Sequence, residues 1–121
     1  MPTRRYYLED VLVYEFSWRT CRNRPVLLGN VRKSLQTVMP EIAASANLTL
    51  EKFRIRNRGR EVFVRVSTTN KSQSVRSIAY LLRKHSSGKV RRKHKELLKM
   101  PSLWTGEYRS ATVGKGVAYV E

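Results

Sequence analysis

Basic side chains recur at every second position from Lys52 to Arg60, a spacing that suits binding to a phosphate backbone. A period of two is that of a β-strand, so one face is cationic, while Phe53 and Ile55 point to the other. Aligned cations repel one another, and we expect an anionic partner to lie along them. The alternative is a solvent-exposed strand edge whose charges oppose aggregation. This basic row consists of Lys52, Arg54, Arg56, Arg58 and Arg60.

A second basic segment, Arg83 to Lys99, contains eight Lys or Arg and two His against one Glu. Such a density predicts phosphate contacts. The alternatives are a solvated helix face or a mobile stretch around Ser86 to Gly88. Together with Arg65, which follows the basic row, the candidate contacts of this segment are Arg83, Lys84, Lys89, Arg91, Arg92, Lys93 and Lys95.

The charge of the whole chain points the same way. The 121 residues carry 25 Lys plus Arg against 9 Asp plus Glu, a formal net charge of +16. This excess attracts polyanions and costs stability through self-repulsion. With 40% hydrophobic residues the chain can still build a core. We therefore predict one nucleic-acid-binding domain over residues 1–121, with its core at about 11–114 and a short tail at 115–121.

The composition also indicates where the protein works. Cys21 is the only cysteine, which excludes an intramolecular disulfide and favours a reducing, cytoplasmic location. No apolar run approaches the roughly 20 residues of a membrane span, and the first ten residues lack the apolar stretch of a signal peptide. We expect no membrane partner.

Four strands and two helices must position these cations. Val11 to Trp18, Leu48 to Arg56, Arg60 to Ser67 and Glu107 to Val113 are typical of strands, and Asn57-Arg58-Gly59 predicts a tight hairpin turn. In the third strand, Val62, Val64 and Val66 share one face, opposite Glu61, Phe63 and Arg65.

Apolar stripes mark the two helices. The first is predicted to start at an N-cap in Gly29-Asn30, with a kink or restart at Pro40, and the second at Ser72 or Ser74. The stripes are Val31, Leu35, Val38, Met39, Ile42 and Ala46 in the first helix, and Val75, Ile78, Ala79 and Leu82 in the second.

The order strand, helix, strand, strand, helix, strand predicts an α+β, ferredoxin-like split βαβ fold, a four-stranded antiparallel sheet with two helices on one face. The open face would then carry the basic row and Phe63. Phe63 would stack on an unpaired base or pack beneath a loop or second subunit, and both alternatives remain open. Tyr108 and Trp104 have the same alternatives, with core packing favoured for Trp104.

Short motifs stand in order along most of the chain: Arg24-Pro25-Val26-Leu27, Ser72 to Val75, Leu82 to Ser87, Leu103-Trp104, Gly106, Tyr108 and Thr112-Val113-Gly114. In these residues, from about Tyr14 to Gly114, the chain resembles the single-tyrosine HUH transposases of small insertion sequences. The resemblance implies a ferredoxin-like fold, a dimer that binds hairpin-forming single-stranded DNA, and cleavage by a tyrosine with a divalent metal.

The catalytic positions of that family are not matched. Two metal-binding histidines are expected on the third strand, where this chain has Arg60-Glu61-Val62-Phe63. Glu61 offers an oxygen ligand to Mg²⁺ or Mn²⁺, but Phe63 cannot bind a metal. His85 and His94 lie outside this strand, and we interpret them as part of the basic surface.

The nucleophile of the family is also in doubt. The family places its tyrosine on a helix about a dozen residues beyond the Thr-Val-Gly motif, whereas Tyr119 follows Gly114 by five residues, and Gly116 weakens a helix. Tyr119 is a remnant of the nucleophile or a terminal residue without an activating group.

The sequence therefore predicts a transposase-like nucleic-acid-binding protein without catalytic activity and without a cofactor. Its expected partner is single-stranded or hairpin DNA or structured RNA, as a homodimer or within a larger ribonucleoprotein. The alternative is an active transposase with a divalent metal at Glu61 and Tyr119 as nucleophile.

Overall fold

The computed structural model describes residues 11–115, which form four strands and two long helices in the predicted order. Two short 3₁₀ helices, Cys21–Asn23 and Lys95–Lys99, follow the first strand and the second long helix. The six main elements are β1 (Leu12–Thr20), α1 (Gly29–Ser45), β2 (Thr49–Arg56), β3 (Glu61–Thr68), α2 (Val75–Lys93) and β4 (Trp104–Lys115).

The four strands form one antiparallel sheet in the order β2-β3-β1-β4. β2 and β3 are joined by a tight turn. β1 lies between β3 and β4, and both of these partner strands come from distant parts of the chain. This order confirms the ferredoxin-like split βαβ prediction.

The core fills the space between one face of the sheet and the two helices. Phe16 and Trp18 of β1 and Val62, Val64 and Val66 of β3 are all at most 2% exposed, and the three valines share one face, as their alternation predicted. Each such side chain contributes about 1.5–3 kcal/mol when buried. The helices pack against these sheet side chains. The packing residues are Leu35, Met39 and Ile42 of α1 and Ile78, Ala79 and Leu82 of α2.

α1 differs from the sequence prediction at its start and middle. The residue before its first turn is Leu28, which makes no side-chain cap, and Asn30 lies inside the helix. The helix continues through Pro40 without a restart. Proline costs about 3 kcal/mol inside a helix. Pro40 faces solvent, and the buried stripe on both sides, including Leu35 and Ile42, holds the helix together.

The β2–β3 turn confirms the predicted hairpin at Asn57-Arg58-Gly59 but corrects the strand prediction for the end of the basic row. Asn57, Arg58 and Gly59 have φ angles of 54°, 55° and 85°, so the chain leaves the strand after Arg56. A Cβ at Gly59 would lie 2.9 Å from the Leu28 side chain, which explains the glycine. β3 begins at Glu61, so the prediction that Arg58 and Arg60 continue a strand face was wrong.

α2 begins as predicted and extends further. The hydroxyl of Ser74 accepts a hydrogen bond of 3.0 Å from the Ser77 amide, which confirms Ser74 as the N-cap. The helix then runs through Gly88 to Lys93, with Ser86 fully buried. Most of the basic segment is therefore one regular helix, and Ser86 to Gly88 form no break in it. No helix within residues 11–115 is long and apolar enough to cross a membrane.

Candidate nucleic-acid interface

The face of the sheet that is turned away from the helices carries the first three members of the basic row. Lys52, Arg54 and Arg56, the strand cations, are exposed on β2, while Phe53 and Ile55 between them pack against the core. β2 pairs only with β3, so it forms an edge of the sheet. The strand cations thus form a continuous charged strip that is open to solvent.

A register shift in β2 determines which of its side chains form this strip. The pairing with β3 slips between Leu50 and Lys52, so Leu50 and Phe53 both pack against the core although they are three residues apart. From there the register is regular, and Lys52 lies opposite Arg65. Because partners across a ladder share a face, β3 adds its own side chains to the open face. The other two pairs are Arg54 with Phe63 and Arg56 with Glu61.

Phe63 and Arg56 form one unit on this face. The Arg56 guanidinium carbon lies 4.3 Å from the centre of the Phe63 ring, a cation–π contact. Phe63 is half-buried. The contact fixes a planar guanidinium over an aromatic ring, and guanidinium planes and aromatic rings are both surfaces on which unpaired bases stack.

Arg65 is neutralised within the sheet. Its Nε and Nη2 donate to Oε2 of Glu15 on β1, at 2.9 and 2.5 Å. Both side chains are about a third exposed, so the pair contributes little to stability. The predicted contact Arg65 therefore has a carboxylate partner, in contrast to the exposed strip on β2.

Tyr108 lies on the opposite face of the sheet from Phe63. It pairs with the buried Trp18, its ring lies 6.3 Å from that of Phe16, and Arg83 of α2 covers it at 5.5 Å. Stacking of a base on Tyr108 at the open face was therefore a wrong prediction. β4 starts at Trp104, earlier than the predicted Glu107, and this register sets the orientation of Tyr108.

Trp104 packs in the core, as the sequence favoured. It is 6% exposed, and its Nε1 donates to the Arg83 carbonyl at 2.9 Å and to Ser86 Oγ at 3.2 Å. Its ring meets Trp18 edge-on at 5.7 Å. These contacts attach the beginning of β4 to the middle of α2.

Two predicted phosphate contacts on α2 are used inside the protein. Arg83 donates to the carbonyl of Thr105, and burial lowers the pKa of its guanidinium from its usual value. Arg91 donates to the Met100 carbonyl at 2.6 Å. The two guanidinium groups hold the beginning of β4 and the segment before it against the helix.

The other cations of the basic segment are exposed on the layer that the two helices form, the helical layer. They lie on the far side of the protein from the strand cations, since α2 packs on the buried face of the sheet. Lys84 Nζ lies 5.3 Å from the Tyr80 ring, and the contact with Tyr80 raises the pKa of Lys84. The exposed predicted contacts are Lys84, Lys89, Arg92, Lys93 and Lys95, and Lys99 at the end of the segment is also exposed, beside Arg22 and Arg24. The structure therefore separates the strand cations from the exposed cations of α2.

The two histidines belong to the helical layer. His94 Nε2 lies 2.7 Å from Ser34 Oγ, a hydrogen bond that joins the end of α2 to α1. His85 is exposed on α2. His94 therefore has a packing role in addition to its place on the basic surface.

A cavity of about 480 Å³ opens beside Glu61 on the open face. A bulge in β4 makes room for this cavity. Between two regular pairs of the ladder, the single residue Arg19 of β1 lies opposite three residues of β4, Thr105, Gly106 and Glu107. Arg109 also lines it. The sequence analysis missed both arginines, although the alternation of Glu15, Ser17 and Arg19 along β1 gave the signal for Arg19.

The residues at the metal position of the resemblance do not fit a divalent ion. Glu61 accepts a hydrogen bond from the Asn57 amide group, and Phe63, which offers no ligand, has the Arg56 cation over its ring. Across residues 11–115, no group of three His, Cys, Asp or Glu side chains lies close enough to hold a metal. Tyr119 lies outside the described residues.

Comparisons with known proteins bear on the family and the fold of the chain. A family model described as "Transposase IS200 like" matches residues 10–120. The search of curated proteins gives no match.

Two solved structures share the fold. A "putative transposase" from Deinococcus radiodurans R1 matches with a TM-score of 0.79 and 22% identity, over 94% of this chain and 87% of that one. A REP-associated tyrosine transposase bound to a REP hairpin matches with a TM-score of 0.61 and 11% identity. That match covers 93% of this chain, which spans 62% of the length of that protein.

Proposed function

This chain belongs to the IS200-like transposase family, and on that premise we propose that it binds hairpin-forming DNA through the open face of its sheet without cleaving it. The observation that carries the proposal is the strip of Lys52, Arg54 and Arg56 on an edge strand, with the Arg56–Phe63 stack beside it.

The geometry suits a flexible, single-stranded or looped nucleic acid. The strand cations match a phosphate backbone, while the stacked pair beside them suits an unpaired base. In a regular duplex the bases are stacked on one another, so no side chain can stack on their faces. A hairpin presents both phosphate and unpaired bases within a short distance.

Family membership favours DNA over RNA as the partner. One structural relative, a tyrosine transposase bound to a REP hairpin, also points to a hairpin as the ligand. Phosphate contacts by themselves do not distinguish the two sugars. Structured RNA, including RNA in a ribonucleoprotein, is therefore the competing ligand, and a net charge of +16 attracts it as well.

The absence of cleavage is proposed from the side chains at the expected metal position. A strand-cleaving tyrosine needs a metal or another group to stabilise the departing oxygen. Glu61 is a single carboxylate held by Asn57, and Arg56 beside it repels a divalent cation. We expect no cofactor. Under the alternative, Glu61 would hold a divalent metal and Tyr119 would attack the strand.

One experiment tests both parts of the proposal. A labelled DNA hairpin with a single-stranded extension is mixed with the protein in Mn²⁺, and binding and covalent adduct are measured in the same samples. We expect saturable binding, and no adduct on a denaturing gel. An adduct that disappears in the Tyr119→Phe variant would establish the active transposase instead.

The same hairpin made of RNA serves as the matched competitor. We expect the RNA to displace the DNA only at higher concentration. Stronger binding to RNA would reject DNA as the partner and favour a ribonucleoprotein role.

A further inference from the structure

Two loops meet at the end of the sheet that carries the β2–β3 turn. The Leu27 amide donates to the Gly59 carbonyl at 3.1 Å, and the Thr20 amide donates to the Arg60 carbonyl at 2.9 Å. The segment after β1 is thereby fixed against the turn by main-chain hydrogen bonds that join residues more than 30 positions apart.

Arg60 adds a side-chain link between the same loops. Its Nε donates to the Asn23 carbonyl at 3.2 Å and its Nη1 to the Asn57 carbonyl at 3.3 Å. The guanidinium is thus held in place by two carbonyls, one from each loop.

Four arginines surround this junction, two from each loop: Arg22, Arg24, Arg58 and Arg60, the loop arginine cluster. Arg22, Arg24 and Arg58 are exposed. A cavity of about 360 Å³ is lined by Asn23, Asn57, Arg58 and Arg60, and a smaller one of about 120 Å³ by Cys21, Arg22, Arg24, Lys99, Met100 and Pro101. Neither cavity has a carboxylate in its lining.

The arrangement is costly for the protein alone. Four neighbouring cations repel one another, and Arg22 and Arg58 both have φ of 55°, a conformation that costs of the order of 1 kcal/mol or more in a residue other than glycine. An anion in the cluster would offset the repulsion. Arginine is suited to phosphate in particular, because its planar fork donates two parallel hydrogen bonds to two oxygens.

We propose that the loop arginine cluster is a second phosphate-binding site, which takes phosphodiester groups of a nucleic acid strand where it leaves the open face. This proposal rests on the proposed function. Arg56 is the last residue of β2, and Arg58 follows within the turn, so the strand cations and the cluster adjoin. A strand that follows β2 toward its end reaches the cluster directly.

The test removes one exposed arginine from each loop, in the variant Arg24→Gln/Arg58→Gln. Its matched control, Arg76→Gln/Lys84→Gln, loses the same charge on the exposed side of α2. Arg60 is left unchanged because it holds the loops together. Affinity for the DNA hairpin and for the RNA hairpin is measured by fluorescence anisotropy at several salt concentrations.

We expect the cluster variant to bind at least about tenfold more weakly at low salt, with the slope of log K against log salt reduced by about 1.5, as for two lost phosphate contacts. The control should change affinity about twofold or less. Thermal unfolding shows whether each variant is folded. If Arg58→Gln disturbs the turn, Arg22→Gln/Arg24→Gln removes the same charge from the other loop alone.

The outcomes separate this site from the proposed function. Equal effects of the cluster variant and the control would overturn the cluster and leave the open face intact. If the cluster variant loses hairpin affinity while charge reversal of Arg54 and Arg56 has no effect, the cluster is supported and the open face is overturned. If the cluster variant loses affinity for the RNA hairpin but not for the DNA hairpin, the cluster is supported with RNA as its partner. No binding of either hairpin by the wild type would overturn both.

Discussion

β2 and α2 are the two most basic regions of the chain, and the structure uses their charges differently. On β2, Lys52, Arg54 and Arg56 stand exposed on one face. On α2, Arg83 and Arg91 turn back to main-chain carbonyls, and only the remaining cations face solvent. Charge density in a sequence therefore does not reveal which cations are available to a partner.

The difference follows from what surrounds each region. β2 is an edge strand, so its outward side chains have no element above them. The segment that leads to β4 and the first residues of β4 lie against α2 near its end and its middle, which brings the carbonyls of Met100 and Thr105 within reach. A buried carbonyl without a donor is costly, and the arginines supply one.

The largest expected effect comes from reversing the charge of each region in turn. Arg54→Glu/Arg56→Glu should weaken hairpin binding about 100-fold, because two attractions become repulsions worth together nearly 3 kcal/mol. Lys89→Glu/Arg92→Glu makes the same change on the exposed side of α2, and we expect less than about a tenfold loss. Anisotropy titrations with the DNA hairpin measure both. A greater loss from the α2 pair would place the interface on the helical layer.

The next effect is on stability. Arg83→Met and Arg91→Met should each lower the free energy of unfolding by about 1–3 kcal/mol, because each leaves a main-chain carbonyl without its donor. Arg54→Met on β2 is the matched control and should change it by less than about 0.5 kcal/mol. Urea unfolding followed by circular dichroism gives the values. Equal stability of all three variants would show that the α2 arginines are as available as those of β2.

A smaller effect is expected at the aromatic ring of the open face. Phe63→Leu should weaken binding of a hairpin with unpaired bases by about 1 kcal/mol, the lower end for loss of one base stack. Phe53→Leu makes the same change on β2 but toward the core, and should affect stability more than binding. Binding that is unchanged in Phe63→Leu would assign Phe63 to packing rather than to base stacking.

The smallest expected effect concerns the ion pair on the open face. Glu15→Gln removes the carboxylate partner of Arg65 and should change stability by no more than about 0.5 kcal/mol, since the pair is partly solvated. It also removes one negative charge from the open face, so hairpin affinity should rise about twofold. Weaker binding in Glu15→Gln would mean that the paired geometry of Arg65 is itself needed by the partner.

The fold could be predicted from the sequence wherever alternation and burial agree. Val62, Val64 and Val66 alternate with polar or half-exposed residues, and the hydrophobic effect alone determines which face is buried. The basic row illustrates the limit. Its period of two continues through Arg58 and Arg60, but the turn at Asn57 changes the direction of the chain, and periodicity does not record backbone angles.

The parts of the site that could not be predicted depend on distant contacts. Arg83 finds its acceptor at the start of β4 and Arg91 in the segment before it, and nothing in the local sequence indicates this. Tyr108 faces the helices because of a bulge in β4, which shifts the register against β1. The loop arginine cluster joins residues more than 30 positions apart. Spacing along the chain shows none of these three relations.

The position of β1 has a consequence for the synthesis of this protein. β1 is the first strand of the described chain, yet one of its two partners is β4, the last, with Leu12 opposite Lys115. While β4 is still inside the ribosome exit tunnel, one edge of β1 has main-chain groups without partners. Such an edge can pair with another nascent chain. We expect the protein to be most prone to aggregation on the ribosome until the last strand emerges.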